Sequence, residues 1–217
     1  MTLCAAPARP AGVLRAVLPA PLVPPALLLR LQKYRDLGRV PPAIRQAAEE
    51  VAAEASRLVA PQAVLWRGPV TAVAPDGRVT LAGRHRFGSR VLARLLAPCP
   101  EALVFVLTAG SAIERRAREL LDAKLLVEGF LMDTAGWAAI ELLVRELRRR
   151  LREAERPAGR ALTHRLAPGY CDWPVDEQLA LLGVFGDAPL PVSVNEAACL
   201  SPQKSISGVF GVHPVAG

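Results

Sequence analysis

The stretch RLAPGYCDWPVDEQ, Arg165 to Gln178, gathers side chains able to do chemistry in a chain whose aromatic content is only 5%. Arg165 carries a rigid guanidinium fork that matches a carboxylate through two hydrogen bonds, which lysine cannot copy. Pro168-Gly169 fixes a sharp bend, and the glycine permits positive φ and close approach of a ligand to the backbone. The bend gives Tyr170 a set direction. The plainer alternatives are a surface ion pair for Arg165, worth little, and simple packing for Tyr170 and Trp173. Cys171 follows the tyrosine with no base or second cysteine nearby in sequence, so it reads as a small packed residue.

Upstream, Glu141 stands in AAIELLV among apolar and small neighbours. A carboxylate is costly to bury there unless it is paired or hydrogen-bonded. It either serves a site or points to solvent at the helix edge. Asp133 lies two helical turns earlier on roughly the same face and shares both options. Other chemistries find no support. His85, His164 and His213 are far apart and lack paired ligand spacing, so no metal site is expected. Cys4, Cys99, Cys171 and Cys199 show no CxxC spacing, which argues against structural zinc and a disulfide framework and for reduced thiols in the cytoplasm. No GxSxG or GxGxxG is present, and the single glycine of FVLTAGSAIE is too weak a signal for phosphate.

The elements that must position these residues follow from periodicity. PPAIRQAAEEVAAEASRLVAP opens with proline at a first helical turn, and Ile44, Ala47, Val51, Ala55 and Leu58 recur at helical spacing. AVLWRGPVTAVAPDGRVTLAG predicts two strands joined at Pro75-Asp76-Gly77. SRVLARLLAPC predicts a short helix ended by Pro98, and ALVFVLTAG a buried strand turning at Gly110. SAIERRARELLDA begins like a capping box, with Ser111 and Glu114. A long helix is expected from about Leu125 to about Glu155, apolar in its first half and charged almost all round in RELRRRLREAE. ALTHRLA, PVSVNEA and KSISGVFGVHP are strand candidates, and DEQLALLGVF a short helix.

Strands and helices alternate irregularly, which indicates an α+β fold, a single domain with a mostly antiparallel or mixed sheet flanked by helices. The four prolines of AVLPAPLVPPALLL break an apolar run too short and kinked for a bilayer or a signal peptide. Residues 1–40 are therefore expected to form an extended arm, and 41–217 the domain. With 217 residues, 52% apolar and 22% charged, a real core can be buried. The net charge of +7 fits nucleic acid, a membrane surface or an acidic protein partner, but no RNA- or DNA-binding motif accompanies it, and the plainer reading is basic residues on solvated helix faces.

RLAPGYCDWPVDEQ followed by VNEAACLSPQKSISGVFGVHP resembles the activation (reactivation) domain of cobalamin-dependent methionine synthase. The resemblance rests on the Arg-x-x-Pro-Gly-Tyr core, the Trp-Pro-x-x-Glu-Gln helix start and the Ser-Pro-x-Lys-Ser-x-Ser-Gly strand. Upstream, VFVLTAGSAIERRARELLDAKLLVEGFLMDTAGWAAIEL is similar to that family's strand-helix-helix segment, so the likeness spans about Ala102 to Pro214. It implies S-adenosylmethionine binding and docking against a cobalamin-carrying chain. That chain is a methionine synthase or another corrinoid methyltransferase, served by a flavodoxin-type electron donor. The implied reaction is reductive methylation of cob(II)alamin.

Residue by residue, the resemblance assigns Arg165 to the S-adenosylmethionine carboxylate end. It gives Glu141 a place holding the ligand, and Ala167 and Gly169 backbone contact with it. Tyr170 falls near both ligand and corrin face, as the catalytic candidate. The chain lacks substrate and cobalamin domains, which implies action in trans. It ends soon after His213-Pro214, where the fused domain has a further aromatic ligand contact. It also offers no clear counterpart to an N-terminal aspartate. The alternative is a docking or chaperone module for a corrinoid protein that no longer binds S-adenosylmethionine.

Overall fold

A computed structural model describes residues 12–215. Its strands are β1 (Gly12–Ala16), β2 (Gln62–Val73), β3 (Arg78–Leu81), β4 (His85–Gly88), β5 (Glu101–Thr108), β6 (Arg160–Leu162), β7 (Ser193–Val194), β8 (Leu200–Ser201) and β9 (Ser205–Pro214). Its α-helices are α1 (Pro25–Leu31), α2 (Pro42–Leu58), α3 (Arg90–Leu96), α4 (Ala112–Asp122), α5 (Leu126–Glu155) and α6 (Glu177–Leu182). The fold is α+β. The main sheet runs β4-β3-β2-β5-β9-β6, with β1 pairing the first half of β2, and every pairing is antiparallel.

β5 explains why a strand in an antiparallel sheet reads as a continuous apolar run. It lies between β2 and β9, and all of its residues are buried. Helices cover both faces, so neither face needs polar side chains. Leu103, Phe105 and Leu107 join one core with α1, α2, α4 and α5, while Ala102, Val104 and Val106 join a second with Trp66, Trp173, α3 and α6. The period of two in a strand sorts these residues between the cores.

Several local expectations hold. α2 starts with Pro42 at its first turn and buries Val51 and Ala55. The β2–β3 hairpin closes at Gly77, whose φ is +97°, and the Asp76 carboxylate accepts the Arg78 N–H. α5 is a single helix of 30 residues.

Others are corrected. Ser111 makes no side-chain cap bond; Glu114 instead reaches across to accept the Gln203 N–H at 2.7 Å. Of ALTHRLA only Ala161 and Leu162 are strand, as the end of β6; Thr163 still donates its N–H to the Gly211 carbonyl, and the chain then leaves β9 and rejoins it at one bridge, Leu166 to Val209. PVSVNEA contributes only Ser193–Val194, paired with β8 in a separate hairpin. The strand β4 had no expectation attached to it. Within the stretch expected as an extended arm, residues 1–11 lie outside the described part. Gly12–Ala16 pairs with β2, and Pro25–Leu31 is helical with Leu28 and Leu29 buried. No described helix is long and apolar enough to cross a membrane.

Candidate functional site

The expected site residues come from two places that the sheet brings together: the middle of α5 and the connection after β6. Gly208 of β9 makes the meeting possible. A Cβ there would lie 3.0 Å from the Leu166 carbonyl oxygen and 3.1 Å from Arg165 Cγ. The absence of a side chain lets segment 165–166 cross β9 at close range, held by hydrogen bonds between Leu166 and Val209 in both directions. Arg165 therefore enters beneath α5, its side chain only 21% exposed.

Past Arg165 the chain forms a clamped bend. The Tyr170 N–H donates to the Ala167 carbonyl, and the Gly169 N–H donates to the Trp173 carbonyl at 2.8 Å. Gly169 has φ +87°, a region where a side chain is strained. Cys171, expected as a small packed residue, instead takes φ +56° at the outside of the bend and is exposed. Ala167 is buried and Tyr170 half exposed. Two carboxylates anchor the far side. Asp172 caps α3, accepting from the Ser89 hydroxyl at 2.5 Å and from the Arg90 and Val91 N–H groups. The Ser89 hydrogen bond is the main reason its carboxyl sits below the usual range. Glu177 accepts from the buried Trp173 indole at 2.6 Å and from the Gly88 N–H. So Trp173 is packing with its N–H satisfied, and the acidic helix start is the bend's anchor.

Around the Arg165 guanidinium the arrangement is open. Glu141, 62% exposed, brings a carboxylate oxygen to 4.0 Å from Nη2. The Tyr170 ring centroid lies 6.0 Å from the guanidinium carbon, the outer limit for a cation–π contact. Nη1 is buried and meets no hydrogen-bond acceptor among the described residues. A buried guanidinium donor without an acceptor is costly, and such groups in folded proteins call for an explanation. The structure thus brings Glu141, Arg165, Ala167, Gly169 and Tyr170 into one neighbourhood.

Asp133 has a different partner from Glu141. Its carboxylate accepts from the Lys204 ammonium at 2.6 Å, and Lys204 is 2% exposed. That ammonium also lies 4.6 Å from the ring centroid of Trp137, which is half exposed. Gly136 provides the room, since a Cβ there would come within 2.8 Å of the lysine stem. The Lys204–Trp137 pair was missed from sequence, although Trp137 sits one turn before Glu141. Among the described residues no group of three His, Cys, Asp or Glu side chains could hold a metal ion. Cys99 is buried, and burial pushes its thiol up to about 11.

No family model matches the chain, and no curated protein matches it. Among solved structures it is similar to a crystal structure of the MetH reactivation domain bound to AdoHcy. The TM-score is 0.63 and the identity 14%, covering 97% of this chain and 81% of that one. At that identity the likeness establishes a shared fold: a single domain with a mostly antiparallel sheet flanked by helices.

Proposed function

We propose that this chain is an activation domain that binds S-adenosylmethionine and supports reductive methylation of a corrinoid on a partner methyltransferase, a methionine synthase first among the candidates. The observation that carries the reading is the buried, unpartnered Nη1 of Arg165 beside Glu141 and the clamped Ala167–Tyr170 bend. The fold shared with an AdoHcy-bound reactivation domain supports it. Arg165 holds the carboxylate of the ligand through its fork. Glu141 offers a countercharge to the ammonium or sulfonium. Backbone groups of Ala167 and Gly169 lie on a bend too well anchored to give way.

Tyr170, half exposed on the same bend, is the side chain we assign to the meeting point with the partner's corrin face. The corrinoid supplies the metal chemistry when the partner is docked; this chain's contribution is to fix the position of the methyl donor. A flavodoxin-type donor and a cytoplasmic setting complete the proposal.

Calorimetric titration with S-adenosylmethionine tests the ligand assignment. Wild type should bind one equivalent, and Arg165→Ala should lose at least about tenfold in affinity, as expected for a charge-assisted bidentate pair. Equal binding by both proteins overturns the site.

A further inference from the structure

At the far end of α5 the segment 145–160 carries seven arginines against three glutamates, a surplus of four in a chain of net charge +7. Six of those arginines line one cleft of about 570 Å³: Arg145, Arg148, Arg149, Arg152 and Arg156, with Arg160 from β6. Helical spacing of three and four residues puts the first five along one face.

The glutamates neutralise only two of the six lining arginines, Arg149 and Arg160, although Glu153 itself stands in the lining. Glu146 binds Arg149 and Arg150, Glu153 binds Arg149, and Glu155 binds Arg67 and Arg160. All three are therefore engaged, and Arg145, Arg152 and Arg156 make no side-chain hydrogen bond or ion pair among the described residues. Among the described residues Arg148 makes one long bond, 3.4 Å to the Thr163 carbonyl, while its Nε is buried and meets no acceptor.

Solvation and the helix dipole explain only part of this. The dipole favours cations in the last turn and fades beyond it. Arg152 and Arg156 fit that account, but Arg145 and Arg148 lie two turns or more before Glu155. A buried guanidinium nitrogen is also not a solvated charge.

We infer that this cleft is an anion site for a compact oligophosphate, either free or as the phosphate tail of a nucleotide. Guanidinium forks match phosphate oxygens in pairs. The cleft volume lies within the range of small-molecule sites. No aromatic side chain lines it, so recognition falls to charge and not to base stacking.

The probe is sodium tripolyphosphate, titrated calorimetrically into the full chain at about 150 mM salt, where weak surface attraction is screened. Sulfate, citrate and ATP run alongside. One-to-one binding of tripolyphosphate is expected, with citrate weaker. ATP binding as well as tripolyphosphate assigns the nucleotide tail, and weaker ATP binding the free oligophosphate.

Arg148→Gln and the pair Arg145→Gln/Arg152→Gln should each weaken binding at least about tenfold. Arg150→Gln, whose guanidinium is tied to Glu146 outside the cleft lining, should not. Circular dichroism melts confirm that the variants fold. Absence of one-to-one binding, equal affinities across the variants, or tighter binding of a short RNA with steep salt dependence overturns the assignment. S-adenosylmethionine titration of the same variants reads the Arg165 site separately.

Discussion

Two arginines lie beneath the same helix and face opposite fates. Arg67, 5% exposed, donates from Nε and Nη2 to Glu101 and from Nη1 and Nη2 to Glu155, the last residue of α5. Glu155 also accepts from Arg160 at 2.6 Å, so two guanidiniums meet two carboxylates and the charges balance. Among the described residues, Arg165 has one exposed carboxylate at 4.0 Å and a buried nitrogen with no acceptor. Lys204 falls between them: its ammonium is buried and well paired, but its partner Asp133 is half exposed. The same pairing of an α5 carboxylate with a sheet-side cation thus occurs three times. It is closed at Glu155, half closed at Asp133 and open at Glu141. A closed network holds the helix on the sheet; the open one leaves Arg165 Nη1 without an acceptor among the described residues.

The largest effect expected from this contrast is on stability. Arg67→Met leaves Glu101 and Glu155 without Arg67, and breaking a buried pair this way costs about 3–5 kcal/mol. Urea denaturation reads it; a loss under about 1 kcal/mol, the size of a surface pair, would remove the structural role. Arg165→Met should behave in the opposite way. Its unfolding free energy should stay within about 1 kcal/mol of wild type, since the existing pair is long and its carboxylate exposed. S-adenosylmethionine affinity should fall at least about tenfold. If both variants destabilise equally, the two arginines are the same kind of residue and the contrast fails.

Gly136→Ala probes the intermediate station. Its Cβ would press on the buried Lys204 stem at 2.8 Å, and overpacking of this kind costs about 1–3 kcal/mol. Thermal melts should also show whether the half-exposed Trp137, followed by fluorescence, moves with Lys204.

The smallest effect is in acid. Burial by itself raises the Glu155 pKa, but hydrogen bonds from Arg67 and Arg160 outweigh it and hold the carboxyl below the usual glutamate range. A depressed folded pKa gives stability that is present above the unfolded value of about 4.3 and lost as pH falls through the folded one. The stability difference between wild type and Glu155→Gln should therefore shrink as pH drops below about 4. A difference that stays constant across that range would show that ionised Glu155 contributes nothing.

Much of the frame was legible in sequence because it depends on local patterns. The 3.6-residue repeat of α2, the Pro75-Asp76-Gly77 hairpin and the apolar run of β5 each announce themselves within a dozen residues. ALTHRLA was not legible. Its alternation fits a strand, yet the chain lifts off β9 after Thr163, whose N–H donates to the Gly211 carbonyl while its Oγ1, in place of its own carbonyl, accepts the Gly211 N–H. The Ser111 capping box failed for a similar reason, since Glu114 found a stronger use across space on Gln203. Of the site, the bend with Arg165, Gly169 and Tyr170 could be read, because proline and glycine specify a turn locally. The partner of Lys204 could not, because 71 residues separate it from Asp133.

RLAPGYCDWPVDEQ by itself determined a rigid bend with an arginine on one side and a tyrosine at its tip, since proline and glycine restrict backbone angles wherever they occur. Which acid belonged to which cation was decided only by tertiary structure. Asp133, Glu141 and Glu155 lie on one helix and are the same kind of group in sequence. The sheet beneath them places Lys204, Arg165 and Arg67 at different depths, and burial decides which pair closes and which one keeps an unmet hydrogen bond.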